Sequence, residues 1–189
     1  MVLAAGAATR FGGGKQLAML DGRPLLEHAL RAITAAPLGR VLVILGAGAE
    51  DVLAGIDLHG AEALVCDRWD EGQSASLACG LAELADCEAV VVTLGDQPRM
   101  APDAIRRVIA ARAGGVAAVR ATYGGAPGHP VLLERRLFQP LRNVSGDRGA
   151  RNLLLSVRTR EVPCDDLGGG VDVDTQAQLD ALRAGGPVA

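Results

Sequence analysis

AVVVTLGDQP, residues 89–98, is an unbroken apolar run that gives way abruptly to Gly95-Asp96-Gln97-Pro98. A run without polar alternation marks a strand buried on both faces, the situation of a strand inside a layered α/β sheet. VLVIL, Val41 to Leu45, carries the same mark. Working outward, further strand candidates lie at Val2–Ala5, Ala63–Cys66, Val116–Ala121, Val131–Leu133 and Arg160–Pro163. Helical spacing fills the intervals at Leu25–Ala35, Ala49–Ile56, Ser74–Ala85, Pro102–Ala113, Arg148–Ser156 and Gln176–Arg183. This alternation predicts an α/β fold, a mostly parallel doubly wound sheet with helices on both faces. In such sheets ligands sit at the carboxyl ends of strands, which places Asp96 at the ligand edge. Asp21-Gly22-Arg23-Pro24 reads as a turn before the first helix. Thr175 and Gln178 have the T-x-x-Q spacing of a capping box at the start of the last.

The chain has 189 residues, 49% of them hydrophobic and 22% charged, enough for one well-buried core and too few for two ordinary domains. Residues 1–184 are therefore expected to form a single domain, with 185–189 as a fraying tail. Aromatics are only 2% of the residues, so the core must be aliphatic and rich in Ala. A net charge of −3 without any run of Lys or Arg argues against a nucleic-acid surface. No apolar run approaches the roughly 18 residues of a membrane span, and no basic segment followed by a cleavable apolar one opens the chain. A cytoplasmic protein is expected. Cys66, Cys79, Cys87 and Cys164 show neither CxxC spacing nor a neighbouring His pair, and read as buried thiols.

LAAGAATRFGGGK, Leu3 to Lys15, joins the first strand to a loop poor in side chains that ends in a cation. Gly6, Gly12, Gly13 and Gly14 are able to adopt positive φ and bring backbone N–H groups close to an anion, and Arg10 and Lys15 bracket the loop with positive charge. A flexible turn with two solvated cations is the alternative. The loop is neither of two familiar phosphate fingerprints. Gly14-Lys15 is followed by Gln16 rather than Ser or Thr, and Thr9 stands where a Walker loop begins with Gly. After VLVIL, Gly46 and Gly48 are followed by Asp51 where a dinucleotide-binding loop needs Gly or Ala. Asp96 is placed either to hold Mg²⁺ against phosphate oxygens or to cap a turn. The Asp172-Val173-Asp174 alternation puts both carboxylates on one face of an extended segment, able to supply a second metal contact, whereas Asp165 and Asp166 read as a solvated acidic loop.

These segments together carry a family resemblance. LAAGAATRFGGGK, WDEGQSASLACGL (Trp69 to Leu81), Gly95-Asp96-Gln97-Pro98, Gly125-Ala126-Pro127-Gly128-His129-Pro130 and Asp172-Val173-Asp174-Thr175 occur in an order and spacing that resemble the molybdenum cofactor cytidylyltransferases, within the wider MobA-like nucleotidyltransferases. The resemblance covers nearly the whole chain. It implies a Rossmann-like nucleotidyltransferase fold that uses Mg²⁺ to join CTP to molybdopterin with release of pyrophosphate. It further implies Arg10, Lys15 and Asp96 as the catalytic set, with the two cations on the triphosphate and Asp96 and Asp174 on the metal. Leu3, Ala4, Ala5 and Gly6 with Gln73, Ser74 and Ser76 would bind the nucleotide, and Gly128 and His129 would face the pterin. Family members that use GTP tend to carry LAGG where this chain has LAAG, the form of those that use CTP. A receiving molybdenum hydroxylase or its maturation factor is the implied protein partner.

An in-line displacement at phosphorus needs position, charge neutralisation and metal rather than a covalent nucleophile, and none is evident among the side chains. An acceptor phosphate is already ionised at neutral pH and needs no general base. His129 is read either as a donor to the acceptor or as a structural residue of a tight turn, and His28 and His59 as structural or solvated. Gly146-Asp147-Arg148-Gly149-Ala150-Arg151 resembles the family's late substrate-side segment. Arg148 and Arg151 there either reach substrate or lie on a helix surface behind an Asp147 cap. Two departures are visible. The chain begins at Met1-Val2 without the few residues that commonly precede the first strand, leaving open a start further upstream, and Gln176 replaces a frequent Pro. Alternatives are another nucleotide or phosphorylated acceptor, a related nicotinamide-dependent oxidoreductase, or a non-catalytic maturation partner.

Overall fold

A computed structural model describes residues 1–144 and 149–185. Strands run over Val2–Leu3 (β1), Met19–Leu20 (β2), Arg23–Pro24 (β3), Leu42–Leu45 (β4), Glu62–Val65 (β5), Ala89–Leu94 (β6), Ala118–Tyr123 (β7), Ala126–Glu134 (β8) and Thr159–Pro163 (β9). The α-helices are Leu25–Thr34 (α1), Ala49–Gly55 (α2), Gln73–Glu83 (α3), Pro102–Ala110 (α4), Phe138–Arg142 (α5), Gly149–Ser156 (α6) and Gln176–Arg183 (α7). The main sheet has the order β5-β4-β1-β6-β8-β7-β9. The pairs β1/β4, β1/β6, β4/β5 and β7/β9 are parallel, and β8 is antiparallel to both β6 and β7. The expected mostly parallel, doubly wound single domain is what forms. After β1 the chain builds outward through β4 and β5, then returns to place β6 on the other side of β1. That reversal opens a crevice beyond the carboxyl ends of β1 and β6, where ligands bind in such sheets.

The core lies on both faces of the sheet. Val2, Val43, Leu45, Val91, Val119 and Leu132 pack under α1, α2 and α4. Leu3, Ile44, Val90, Val92, Val131 and Leu133 face α3, α5 and α6. AVVVTL is thus covered on both sides, as an unbroken apolar run requires. A third, smaller core joins Leu20 and Leu25 to Val173, Leu179 and Leu182, docking α7 and the segment before it. Gly95 follows from close approach: a Cβ there would come within 2.8 Å of both the Ala4 Cβ and the Leu26 Cδ1. No helix among the described residues is long and apolar enough to cross a membrane.

Several boundaries depart from the sequence reading. Asp21 and Gly22 form the expected turn, with φ of 48° and 79°, but it closes a two-residue-per-arm hairpin, β2–β3, as an Asp-Gly turn of that geometry favours. The tight turn expected around His129 lies instead at Gly124–Gly125, with φ of 57° and 76°, and His129 lies within strand β8, whose pairing with β7 starts at Ala126 and Pro127 and shifts register before Val131. Gly6 does not take a positive φ. Ala8 does, at 52°, along with Gly12, Gly13 and Gly14. Cys66 and Cys164 are buried as expected, whereas Cys79 and Cys87 are half-buried. Asp165 and Asp166 are not merely solvated: Asp166 pairs with Arg107 through both carboxylate oxygens, at 2.7 and 2.9 Å, and Asp165 accepts from the Gly124 N–H. His28 Nε2 meets the Leu20 carbonyl and His59 pairs with Glu27, so both are structural. Asp147, Arg148 and the tail beyond Gly185 lie outside the described residues.

Candidate active site

Four charged side chains meet at the switch point. Lys15 Nζ donates to Asp96 Oδ2 at 2.7 Å and to Asp174 Oδ1 at 3.3 Å, and Arg10 Nη1 reaches Asp174 Oδ2 at 3.0 Å. Each arrives by a different route. Asp96 follows β6 by two residues. Lys15 opens a 3-10 turn, Lys15–Leu17, at the end of the glycine loop. The loop itself is held by Gln16, whose buried amide donates to the carbonyls of Ala4 and Gly6, each at 3.0 Å. Asp174 is oriented by its neighbours. Val173 is fully buried in the third core, and its N–H donates to the Asp96 carbonyl at 2.9 Å, so the alternation of an extended segment sends Asp172 and Asp174 the other way. The capping box of α7 completes the fixing: Gln178 Oε1 accepts from the N–H groups of Asp174 and Thr175, at 2.8 and 3.0 Å.

Asp172 contributes indirectly. It accepts from Gln97 Nε2 at 2.7 Å, and burial raises its carboxyl pKa above the ordinary range, with Asp96 and Asp174 adding to the shift and the Gln97 bond opposing it. Asp96 Oδ1 is buried and has no partner among the described residues. A carboxylate oxygen left in that state is costly unless something fills its valence. A hard divalent cation fits it. Among the described residues no group of three or more His, Cys, Asp or Glu side chains is placed to hold a metal, so such a cation would rest on Asp96 and Asp174 and take its remaining ligands from phosphate and water, the usual arrangement for Mg²⁺.

Two clefts flank this cluster. The first, of about 490 Å³, runs between the Leu3–Thr9 segment, Lys15, Trp69, Asp70, Ser76 and Asp96. The second, of about 320 Å³, has Val92, Val131 and Leu133 as its floor and Leu77, Leu141 and Leu154 opposite. Leu3 and Gln73 line both, so the clefts are contiguous. The residues expected to touch substrate therefore divide: Ala4, Ala5, Gly6 and Ser76 face the first, and Ser74, Gly128 and His129 face the second, as does Arg151. Arg10 lies outside the first cleft's lining, its side chain 76% exposed. Burial lowers the His129 pKa to about 4 against the opposing pull of Asp96, so its imidazole is neutral at neutral pH. Gln16 and Arg120 were not marked by the sequence, and Gln97, Trp69 and Asp70 only as parts of longer segments.

Comparison with known proteins places this geometry. The chain is 31% identical to nicotine blue oxidoreductase of Paenarthrobacter nicotinovorans, over 95% of this chain and 93% of that one. It is 27% identical to the purine catabolism protein PucB of Bacillus subtilis strain 168, over 96% and 93%. The crystal structure of Rv0371c from Mycobacterium tuberculosis H37Rv superposes with a TM-score of 0.85 at 31% identity, covering 97% of this chain and 95% of that one, and the same protein has been solved in complex with manganese. The MobA-like NTP transferase domain matches residues 1–162. The chain belongs to the family of MobA-like NTP transferase domains.

Proposed function

We propose that this protein transfers CMP from CTP to the terminal phosphate of molybdopterin in the cytoplasm, releasing pyrophosphate and handing the product to a molybdenum hydroxylase or its maturation factor. The observation that carries the reading is the Lys15–Asp96–Asp174 cluster at the junction of two contiguous clefts, one for each substrate. The first cleft takes the nucleotide, with the glycine loop and Lys15 at its triphosphate and Arg10 approaching from outside. Asp96 and Asp174 would hold Mg²⁺, which when bound neutralises charge gathering on the leaving pyrophosphate. The second cleft takes the acceptor, and its apolar floor and opposing wall suit a flat heterocycle. With the acceptor phosphate already ionised, the protein's task is to align it with the α-phosphorus and exclude water. A neutral His129 can accept or donate one hydrogen bond to the acceptor without adding charge.

The motifs quoted above favour CTP and molybdopterin over other pairs. A second reading, an oxidoreductase, is favoured by the full-length relative that carries that name. One experiment separates them: pyrophosphate release with each of the four nucleoside triphosphates in Mg²⁺, with and without molybdopterin, alongside oxidation of a reduced nicotinamide. Release that needs both CTP and molybdopterin is the expected result. Release indifferent to the acceptor, or nicotinamide oxidation in its place, overturns the proposal.

A further inference from the structure

The acceptor cleft contains one arginine set into its sheet floor. Arg120 of β7 pairs in register with Val131 of β8 and with Glu161 of β9, and Val131 pairs with Val92 of β6. Paired positions project to the same face, so Val92, Val131, Arg120 and Glu161 form one row across the sheet. The Arg120 side chain is only 14% exposed and lines the cleft. Its pairing differs from that of four arginines held in matched forks. Arg40 with Glu62, Arg68 with Glu71, Arg107 with Asp166 and Arg112 with Glu134 each set two nitrogens against two carboxylate oxygens. Arg120 instead sends Nε and Nη2 to the same oxygen, Glu161 Oε1, at 3.2 and 2.6 Å, and its Nη1 has no partner among the described residues. Doubling Nε and Nη2 on one oxygen leaves Nη1 outside the ion pair. Spare donors at the wall of an apolar cleft call for an acceptor from the ligand.

We propose that Arg120 reads the oxygen-bearing edge of the acceptor's heterocycle, at the end remote from the reacting phosphate. The proposal rests on the transferase reading above. The row of Arg120 lies four residues before Asp96 along the direction of β6, about 13 Å at roughly 3.3 Å per residue. An acceptor whose phosphate lies at Asp96 therefore enters this cleft ring first. Glu161 already offsets the guanidinium charge, so what remains at Nη1 is a directional donor rather than net charge. That suits a neutral carbonyl edge better than a second anion. In a pterin, O4 is a ring carbonyl acceptor comparable to O6 of guanine, one of the atoms through which arginine recognises that base in nucleic acids. The aliphatic floor and wall would cover the ring faces.

Fluorescence titration of the full chain with free pterin, and with 2,4-diaminopteridine, in which an amine replaces O4, tests this. The unmodified protein is expected to bind pterin at least about tenfold more tightly than the diamino analogue. Arg120→Leu should lose that preference with its CTP affinity unchanged, and Arg120→Lys should recover part of it. The preference of the unmodified protein is measured without any variant, so it decides the matter even if Arg120→Leu does not fold. Equal binding of the two compounds by the unmodified protein, or a preference kept by folded Arg120→Leu, overturns the role of Arg120 and leaves the transferase reading standing. If the unmodified protein binds neither compound, the Arg120 assignment falls. Should CTP and molybdopterin also yield no pyrophosphate, the transferase reading falls with it.

Discussion

Lys15 sits between two carboxylates, 14% exposed, and the loop that delivers it is held by a buried glutamine rather than by its glycines alone. Charge at this point is therefore finely set. Replacing one carboxylate by an amide of the same shape should leave the fold intact while removing the charge that a metal ion would meet. Asp96→Asn should slow pyrophosphate release by about 100-fold, close to 3 kcal/mol of barrier. A purified variant with unchanged circular dichroism and near-normal turnover would take Asp96 out of the metal site. His129 supplies a second test through stability. Its folded pKa of about 4 lies below the ordinary value of 6.5 expected in the unfolded chain. As pH falls between those values the unfolded chain takes up a proton that the folded chain refuses. Its contribution to stability is therefore present above pH 6.5 and lost toward about 4, by at most about 3 kcal/mol at roughly 1.4 kcal/mol per unit. Denaturant midpoints across this window should fall less steeply for His129→Gln than for the unmodified protein, and parallel curves would remove His129 as the cause.

Among the elements, α7 does two jobs through one cap. Thr175 accepts from the Gln178 N–H at 3.3 Å, whereas Gln178 accepts from the N–H groups of both Thr175 and Asp174. Thr175→Ala and Gln178→Ala should each cost about 1 kcal/mol in thermal or chemical unfolding. Only Gln178→Ala frees the backbone of Asp174, so its turnover should drop several-fold further, and equal turnover in the two variants would sever the cap from the site. The cap was legible in sequence because two residues at fixed spacing define it, and β6 was legible because burial on both faces leaves no alternation to misread. The β2–β3 hairpin has arms of two residues, too short for any periodicity, and α5 spans five residues around Pro140. The first half of β8 carries Pro127, Gly128 and Pro130, which read locally as a turn, and only pairing with β7 makes it strand. Strand ends and alternation likewise exposed Asp96 and Asp174. Gln16 and Arg120 stayed hidden because local spacing does not reveal which loop a glutamine clasps or which strand face borders a cleft.

For the molecule as a whole, the reversal of strand order sets one cleft on each side of the shared Leu3 and Gln73, and the wall of the nucleotide cleft has little slack. Ala5 is 4% exposed and lines that cleft. Behind it, a Cβ on Gly46 would come within 2.6 Å of the Ala5 carbonyl and 2.5 Å of Trp69, so β4's end, the first-strand loop and Trp69 are already in close contact. Ala5 gives this wall a methyl group that a glycine would lack, and a tighter wall suits a one-ring pyrimidine better than a two-ring purine. Backbone amides of the same loop remain able to read the base edge. One methyl group in a pocket is worth about 1 to 3 kcal/mol of discrimination. CTP should accordingly be preferred over GTP by at least about tenfold in kcat/KM. Ala5→Gly should relax that preference without inverting it, because the Gln73 to Leu77 turn of α3, with Gln73 and Ser76 in the cleft wall, also shapes the pocket. Side-by-side kinetics with both nucleotides decide the matter: equal use by the unmodified protein would remove Ala5 as a selector, and an unchanged ratio in Ala5→Gly would move the selection to α3.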